Sequence, residues 1–254
     1  MPKINPTVYF NEIEPYACRW LKNLYPKATV DGRSITDLNE LDGKFDRRHF
    51  FGGIGGWEYA LHLAGWGMRE VWTGSAPCQP FSVCGSGKGE NDKRHLWPEF
   101  YRLIVKYHPP TIFGEQVAGK RGLEWMSGVR VDLEKAGYAV GVANLCAPGV
   151  SAPHNRSRLF WVANSTGAAR DRPLVWKDKG AYRGIVGKGY WHEYEEWECH
   201  DGKTRRTGPG ILPVAHGVPN RMGRLRGYGN AIVAPLAALF IRSFLEAEAM
   251  TQSS

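Results

Sequence analysis

The sequence predicts an α/β domain: a mostly parallel sheet flanked by helices. Three observations lead there. Short apolar runs alternate with helix-period stretches through the first two-thirds of the chain. The glycine-rich turn Phe51-Gly52-Gly53-Ile54-Gly55-Gly56 closes one such run and opens a helical one, as strand–helix units do at ligand-binding ends. A proline-held turn, Ala76-Pro77-Cys78-Gln79-Pro80-Phe81-Ser82, follows the next apolar run directly.

The elements follow in order. Apolar, β-favouring runs place strands near Thr7–Asn11, Arg48–Phe51, Val71–Gly74, Thr111–Glu115, Ala139–Leu145 and Arg158–Ala163. Helical patterns lie near Pro15–Leu24, Trp57–Ala64, Arg94–Tyr107 and Leu123–Ala136; the last has Met126, Val129 and Leu133 on one face and stops at Gly137. From Asn164 to about Arg226 the texture changes to Gly, Arg, Lys, Trp and Tyr without sustained periodicity, which reads as a small separate lobe. A final helix presents Ile232, Leu236, Leu239, Phe240 and Phe244 on one face.

Composition narrows the function classes. The chain has 254 residues, 43% hydrophobic and 23% charged, enough for one large domain with a small lobe and unlike a disordered chain. The longest apolar stretch, Ala231–Ile241, is too short for a membrane span and contains Pro235. No secretory signal is visible, and five scattered cysteines without C-x-x-C spacing suggest neither a disulfide framework nor zinc, so a cytoplasmic setting is expected. His192 and His200 beside Cys199 fit no common metal-site spacing. The net charge of +8 favours a polyanionic partner, nucleic acid before a membrane surface.

Chemistry concentrates at two turns. A cysteine at the carboxyl end of a parallel strand stands where open α/β sheets bind ligands, and its thiolate is a nucleophile for an electrophilic carbon. Cys78 has that position, in a loop stiffened by Pro77 and Pro80. The glycines at 52–56 let backbone N–H groups approach a nucleotide-like ligand at a helix N-terminus.

Together these segments resemble the DNA cytosine-5 methyltransferase family, and three more join them in order. Gly114-Glu115-Gln116-Val117 is similar to the family's Glu-Asn-Val segment, with Gln116 in place of Asn. Pro153-His154-Asn155-Arg156-Ser157-Arg158 is similar to its Gln-x-Arg-x-Arg segment, with His154 in place of Gln. Gly229-Asn230-Ala231-Ile232-Val233 resembles its C-terminal Gly-Asn motif.

The resemblance has an unusual order. Between Gly56 and Pro77 there is room for one helix and one strand only, and Glu70 falls in the turn between them. The acidic residue that would hold a cofactor's ribose is instead found upstream: Asn11-Glu12-Ile13 is similar to the ribose-binding strand end. Val30-Asp31-Gly32-Arg33-Ser34-Ile35 is similar to the adenine-contacting segment, with Asp31 or Ser34 facing the adenine. The second and third strand units thus precede the first, as in a permuted, compact, phage- or prophage-like member. Only about ten residues, Asn39 to Arg48, then join the third strand to the glycine strand, short for a parallel crossover.

The resemblance implies a Rossmann-like S-adenosylmethionine-dependent methyltransferase fold with permuted motif order and a small irregular target-recognition lobe. It assigns residues 1–163 to the catalytic domain, with the ribose and adenine unit at 1–47 and the glycine and catalytic loops at 48–92. Residues 164–226 become the recognition lobe and 227–254 a returning helix. The implied catalytic residues are Cys78, Glu115, Arg156 and Arg158. The implied contacts to S-adenosyl-L-methionine are Phe51, Gly53, Ile54, Gly55, Gly56, Glu12, Ile13, Asp31, Ser34, Ile35, Pro77, Asn230 and Ala231. The implied reaction is methylation of cytosine carbon 5 in double-stranded DNA through a Cys78 adduct at carbon 6, with the base flipped out of the duplex. Further expectations are a monomer without metal, working in a bacterial or phage-infected cytoplasm within restriction-modification. An RNA cytosine-5 methyltransferase, or a catalytically degenerate DNA-binding relative, is the alternative.

Overall fold

The computed structural model describes residues 6–77, 96–152, 154–165, 195–198, 202, 204–207 and 229–252. Seven strands form one sheet: β1 (Val8–Asn11), β2 (Thr29–Asp31), β3 (Arg47–Phe50), β4 (Val71–Gly74), β5 (Thr111–Val117), β6 (Ala139–Cys146) and β7 (Ser157–Asn164), in the order β2-β1-β3-β4-β5-β7-β6. The first five are parallel, and β7 runs antiparallel between β5 and β6. Among the described residues five helices accompany them: α1 (Pro15–Leu24), α2 (Gly56–Ala64), α3 (Trp97–Tyr107), α4 (Lys120–Lys135) and α5 (Ala234–Gln252). Helix α3 starts three residues after the predicted Arg94, with Leu96 at the N-cap position but no side-chain cap, and α4 starts three before the predicted Leu123. A two-stranded antiparallel hairpin, β8 (Glu195–Glu198) with β9 (Thr204–Thr207), lies within the stretch that lacked sequence periodicity. Among the described residues, no helix is long and apolar enough to cross a membrane.

Local chemistry explains the boundaries. Helix α1 begins at Pro15, whose missing N–H costs nothing there, and the Glu14 carboxylate caps it by accepting from Ala17 N–H at 2.8 Å. Each sheet face buries its own apolar cluster. One holds Trp72, Phe100, Leu103, Trp125, Met126, Val129, Leu133 and Trp161 under α3 and α4; the other holds Trp57, Leu61, Phe113, Phe160, Val162, Leu239 and Phe244 under α2 and α5. Strand β7 serves both clusters by simple alternation, Leu159 and Trp161 to one face, Phe160 and Val162 to the other.

The short connection from β2 to β3 has no α-helix. A 3-10 turn, Ile35–Asp37, capped by Ser34, replaces it, and Ile35, Leu38 and Leu41 anchor in the α3-side core. Helix α3 holds the remaining backbone. Arg102 donates to Leu38 O at 2.9 Å, Lys106 donates to Asn39 O at 2.9 Å, and Leu41 N–H donates to the Tyr107 hydroxyl at 2.7 Å. A few apolar anchors and these bonds do the work of a crossover helix.

Strand order sets the location of the site. From β1 the chain steps outward to β2, whereas from β3 it steps the opposite way to β4 and β5. The reversal opens a crevice at the carboxyl ends of β1, β3 and β4, the usual ligand position in open α/β sheets. Glu12, Phe51–Gly56 and Ser75–Pro77 all follow those ends.

Candidate active site

Glu12 stands immediately after β1, and the glycine turn immediately after the neighbouring β3. The two meet. Gly53 N–H donates to Glu12 Oε2 at 2.7 Å, and Glu14 N–H donates to Oε1 at 2.8 Å. Each carboxylate oxygen thus keeps lone-pair capacity beyond its one backbone donor. Ile13, next along, is 63% exposed. An apolar side chain left so open beside a held carboxylate is a ready platform for a flat ring.

The turn itself is strained in places and packed in others. Phe51 has φ +54°, a left-handed conformation uncommon for a bulky residue, with its ring edge-on to Phe100. Gly55, at φ +85°, leaves no room for a side chain: a Cβ there would sit 2.5 Å from the Tyr25 ring, whose hydroxyl donates to Gly55 O at 3.2 Å. A Cβ on Gly56 would sit 2.9 Å from Ile232. These two glycines serve packing against α1 and the C-terminal segment. Gly53 is the one whose face is open, its nearest neighbour for an added Cβ being Phe51 O at 4.0 Å.

At the end of β2, Asp31 is engaged by its own neighbours. Arg33 binds it through Nε and Nη2, the latter at 2.7 Å, and the Tyr9 hydroxyl donates at 3.0 Å. The Arg33 bonds hold the Asp31 carboxyl below its ordinary value, against burial. Ser34 is half-buried and accepts from the Thr36 hydroxyl at 2.8 Å. Ile35 is a core residue, 3% exposed, so its side chain is taken up by packing.

The second half of the site gathers around β5. Glu115 is buried on β5, facing Phe160 in register, and Arg158 Nε lies 2.7 Å from its Oε1. That approach is an ion pair, and among the described residues Oε1 has no hydrogen bond of good geometry. Burial raises the Glu115 carboxyl above its ordinary value, and the nearby Arg158 and Arg156 offset part of the rise. Next on the strand, Gln116 donates to Ala76 O at 3.4 Å while its Oε1 accepts Val117 N–H at 2.9 Å. Trp57 Nε1 donates to Ser75 Oγ at 3.0 Å. Both bonds fix the backbone that leads to Pro77, which is exposed. Cys78 lies outside the described residues, as do residues 79–95, residues 166–194 with His192, residues 208–228, and Cys199 and His200.

Arg156 reaches a different partner from Arg158. Its Nη1 donates to Gly229 O and its Nη2 to Ala231 O, both at 3.0 Å. Asn230 is exposed and Ala231 half-buried. The family resemblance names Arg156 among the catalytic residues near the base, and it gives no sign of this bond pair or of the contacts of Trp57, Tyr25 and Gln116. Contacts between segments so far apart in the chain leave no local pattern, although Gln116 was visible as a departure from the family segment.

A cavity of about 550 Å³ lies against the turn, between α1 and α2. Ile54, Gly55, Gly56 and Ala231 are on its wall with Trp20 and Tyr59, but Glu12, Phe51, Gly53, Asp31 and Pro77 are not. It is therefore a neighbour of the strand-end crevice, and the polar groups that suit a nucleoside are in the crevice.

A family profile for C-5 cytosine-specific DNA methylases matches residues 5–178. The chain belongs to that family. Among curated relatives, it is 35% identical over 99 residues to type II methyltransferase M.AplI of Arthrospira platensis, covering 38% of this chain and 29% of that protein. It is 29% identical over 155 residues to type II methyltransferase M.NgoMIV of Neisseria gonorrhoeae, covering 60% of this chain and 42% of that one. This family member thus spans less than half the length of the curated relatives it matches. Among solved structures, a triple mutant of Spodoptera frugiperda DNMT2 superposes with a TM-score of 0.45 at 18% identity, over 67% of this chain and 45% of that one.

Proposed function

We propose that the protein transfers a methyl group from S-adenosyl-L-methionine to carbon 5 of cytosine in double-stranded DNA. The observation that carries this reading is Glu115. A carboxyl group that is 8% exposed, raised by burial and paired with one arginine is poised to share a proton with a ring nitrogen, and it stands on the strand next to the turn leading to Cys78.

The cofactor fits the residues at the crevice. Glu12 has lone pairs for two ribose hydroxyls, Ile13 offers an apolar face to an adenine, and Gly53 leaves open space where a side chain would intrude. Asp31 or Ser34 closes the adenine end. Phe51, Pro77, Asn230 and Ala231 border the remainder. When bound, S-adenosylmethionine supplies an electrophilic methyl group.

The chain's own residues do the rest. The Cys78 thiolate adds to cytosine carbon 6, and the ring electrons move to carbon 5 as an enamine. Glu115 holds nitrogen 3 with its proton, steadying the negative charge that builds there. Arg158 keeps Glu115 in place and faces the base's carbonyl oxygen. Carbon 5 takes the methyl group and gives up its proton to a base, and the returning electron pair expels the thiolate. The base leaves the stack to reach these groups. The net charge of +8 suits a duplex. Residues 1–163 would form the catalytic domain, 164–226 the target-recognition lobe, and 227–254 the returning helix.

The test is incubation with methyl-labelled S-adenosylmethionine and mixed-sequence duplex DNA, followed by digestion to nucleosides. Label in 5-methylcytosine from the wild type, absent with Cys78→Ala, is the expected result. Label found only when transfer RNA replaces DNA would move the substrate class. No label from either, with wild type and Cys78→Ala alike, would end the catalytic reading.

A further inference from the structure

Arg156 is a half-buried cation with no carboxylate within hydrogen-bond reach among the described residues; burial and Arg158 disfavour its charge, and the nearby Glu115 offsets part of that. Its bonds go instead to two backbone carbonyls, Gly229 O and Ala231 O, at 3.0 Å each. A guanidinium fork spanning two carbonyls two residues apart pins that backbone in one conformation. Its own backbone is fixed as well: Ala147 N–H donates to Arg156 O at 3.0 Å, closing the β6–β7 connection.

What the fork joins is informative. Two residues on, Arg158 pairs with Glu115 on the side proposed to meet the base. On the far side of the fork, the residue after Ala231 is Ile232, packed against Gly56 at the glycine turn. One side chain therefore ties the Glu115 side of the crevice to the glycine-turn side, through segments 73 and 75 residues away. We propose that Arg156 is a positioning residue for the cofactor: it touches neither base nor reacting atoms, and it holds residues 229–231 as the wall against which S-adenosylmethionine binds. This rests on the methyltransferase reading above.

The experiment compares wild type, Arg156→Lys, Arg156→Met and Arg158→Lys. S-Adenosylmethionine affinity is measured by tryptophan fluorescence titration, and steady-state methyl transfer to mixed-sequence duplex DNA gives KM and kcat. A lysine reaches one carbonyl at a time and a methionine neither. Loss of two charge-assisted bonds should weaken cofactor binding roughly tenfold or more in Arg156→Met, with Arg156→Lys in between. In Arg156→Lys the KM for S-adenosylmethionine rises while kcat stays near wild type. Arg158→Lys shows the reverse, lower kcat at unchanged cofactor KM. Amide hydrogen exchange at 229–233 should rise in both Arg156 variants.

Wild-type affinity in both Arg156 variants overturns the clamp and leaves the methyltransferase reading standing. Equal loss of kcat in Arg156→Lys and Arg158→Lys, at unchanged cofactor KM, also overturns it and returns Arg156 to the base side. A wild-type protein that binds no S-adenosylmethionine overturns the methyltransferase reading and the clamp with it. If Arg156→Met does not fold, the Arg156→Lys split decides alone.

Discussion

Gly53 donates its backbone N–H to the Glu12 carboxylate at 2.7 Å, joining the ends of two neighbouring strands across 41 residues of chain. The acid shapes the glycine turn, and on the proposed reading it also offers lone pairs to the cofactor. Replacing Glu12 by Ala removes both. S-Adenosylmethionine affinity should fall by about 10- to 100-fold, the range for losing charge-assisted hydrogen bonds. Equilibrium dialysis with labelled cofactor checks it, and an unchanged affinity would put the ribose acid elsewhere.

Glu115 gives a pH signature. Its carboxyl is raised in the folded protein, chiefly by burial. A raised acid favours the folded state while protonated; that contribution is present below the ordinary carboxylate range and lost as pH rises through the raised value. Urea titrations of wild type and Glu115→Gln across that window should show wild type losing ground to the variant as pH rises. Methyl transfer by wild type should decline over the same window. A stability difference that does not vary with pH would contradict the burial argument.

Under α2 lies a buried polar chain. Glu58 accepts from Arg47 Nη1 at 2.5 Å, and His49 bridges Glu58 Oε2 at 3.0 Å and Thr73 Oγ1 at 2.8 Å. Glu58→Leu would strand the Arg47 guanidinium in the interior. Breaking a buried pair from one side costs about 3–5 kcal/mol, which should appear as a large drop in the urea midpoint. Arg33→Ala at the exposed Asp31 pair should change stability far less.

Gly114 sits where the Trp161 ring crosses the sheet. A Cβ there would fall 2.2 Å from the indole. Trp161 is fully buried, so Gly114→Ala must displace it or bend β5, at a cost of about 1–3 kcal/mol or more for an overpacked core. Thermal unfolding measures the loss. Because Glu115 is the next residue, activity should fall further than stability alone explains.

Most of the sheet was legible from patterning. Val71–Gly74 and Pro15–Leu24 match their sequence-derived limits, because an apolar run bounded by turn residues and a Pro-initiated amphipathic stretch are local signals. The direction of β7 was not legible, since alternation of Leu159, Phe160, Trp161 and Val162 looks the same in a parallel or antiparallel strand. The β2–β3 connection reads as short for a parallel crossover, and its support from Arg102, Lys106 and Tyr107 on a helix distant in sequence leaves no local signal. At the site, motif positions named Glu12, Glu115 and Arg158, but the packing tasks of Gly55 and Gly56 and the reach of Arg156 depend on partners no local window contains.

The closing of Ile232 against Gly56 bears on how the protein is made. During synthesis, Glu12 and the glycine turn leave the ribosome within a short span of one another and well before residues 229–233. Their far wall, residues 229–233, arrives only with the segment that leads into α5. A nascent chain would hold the carboxylate and turn long before it owned a finished pocket, so on the proposed reading cofactor capture is a late event in the life of each molecule. Pulse-labelled ribosome-bound chains of increasing length would retain S-adenosylmethionine only after residue 233 has cleared the exit tunnel.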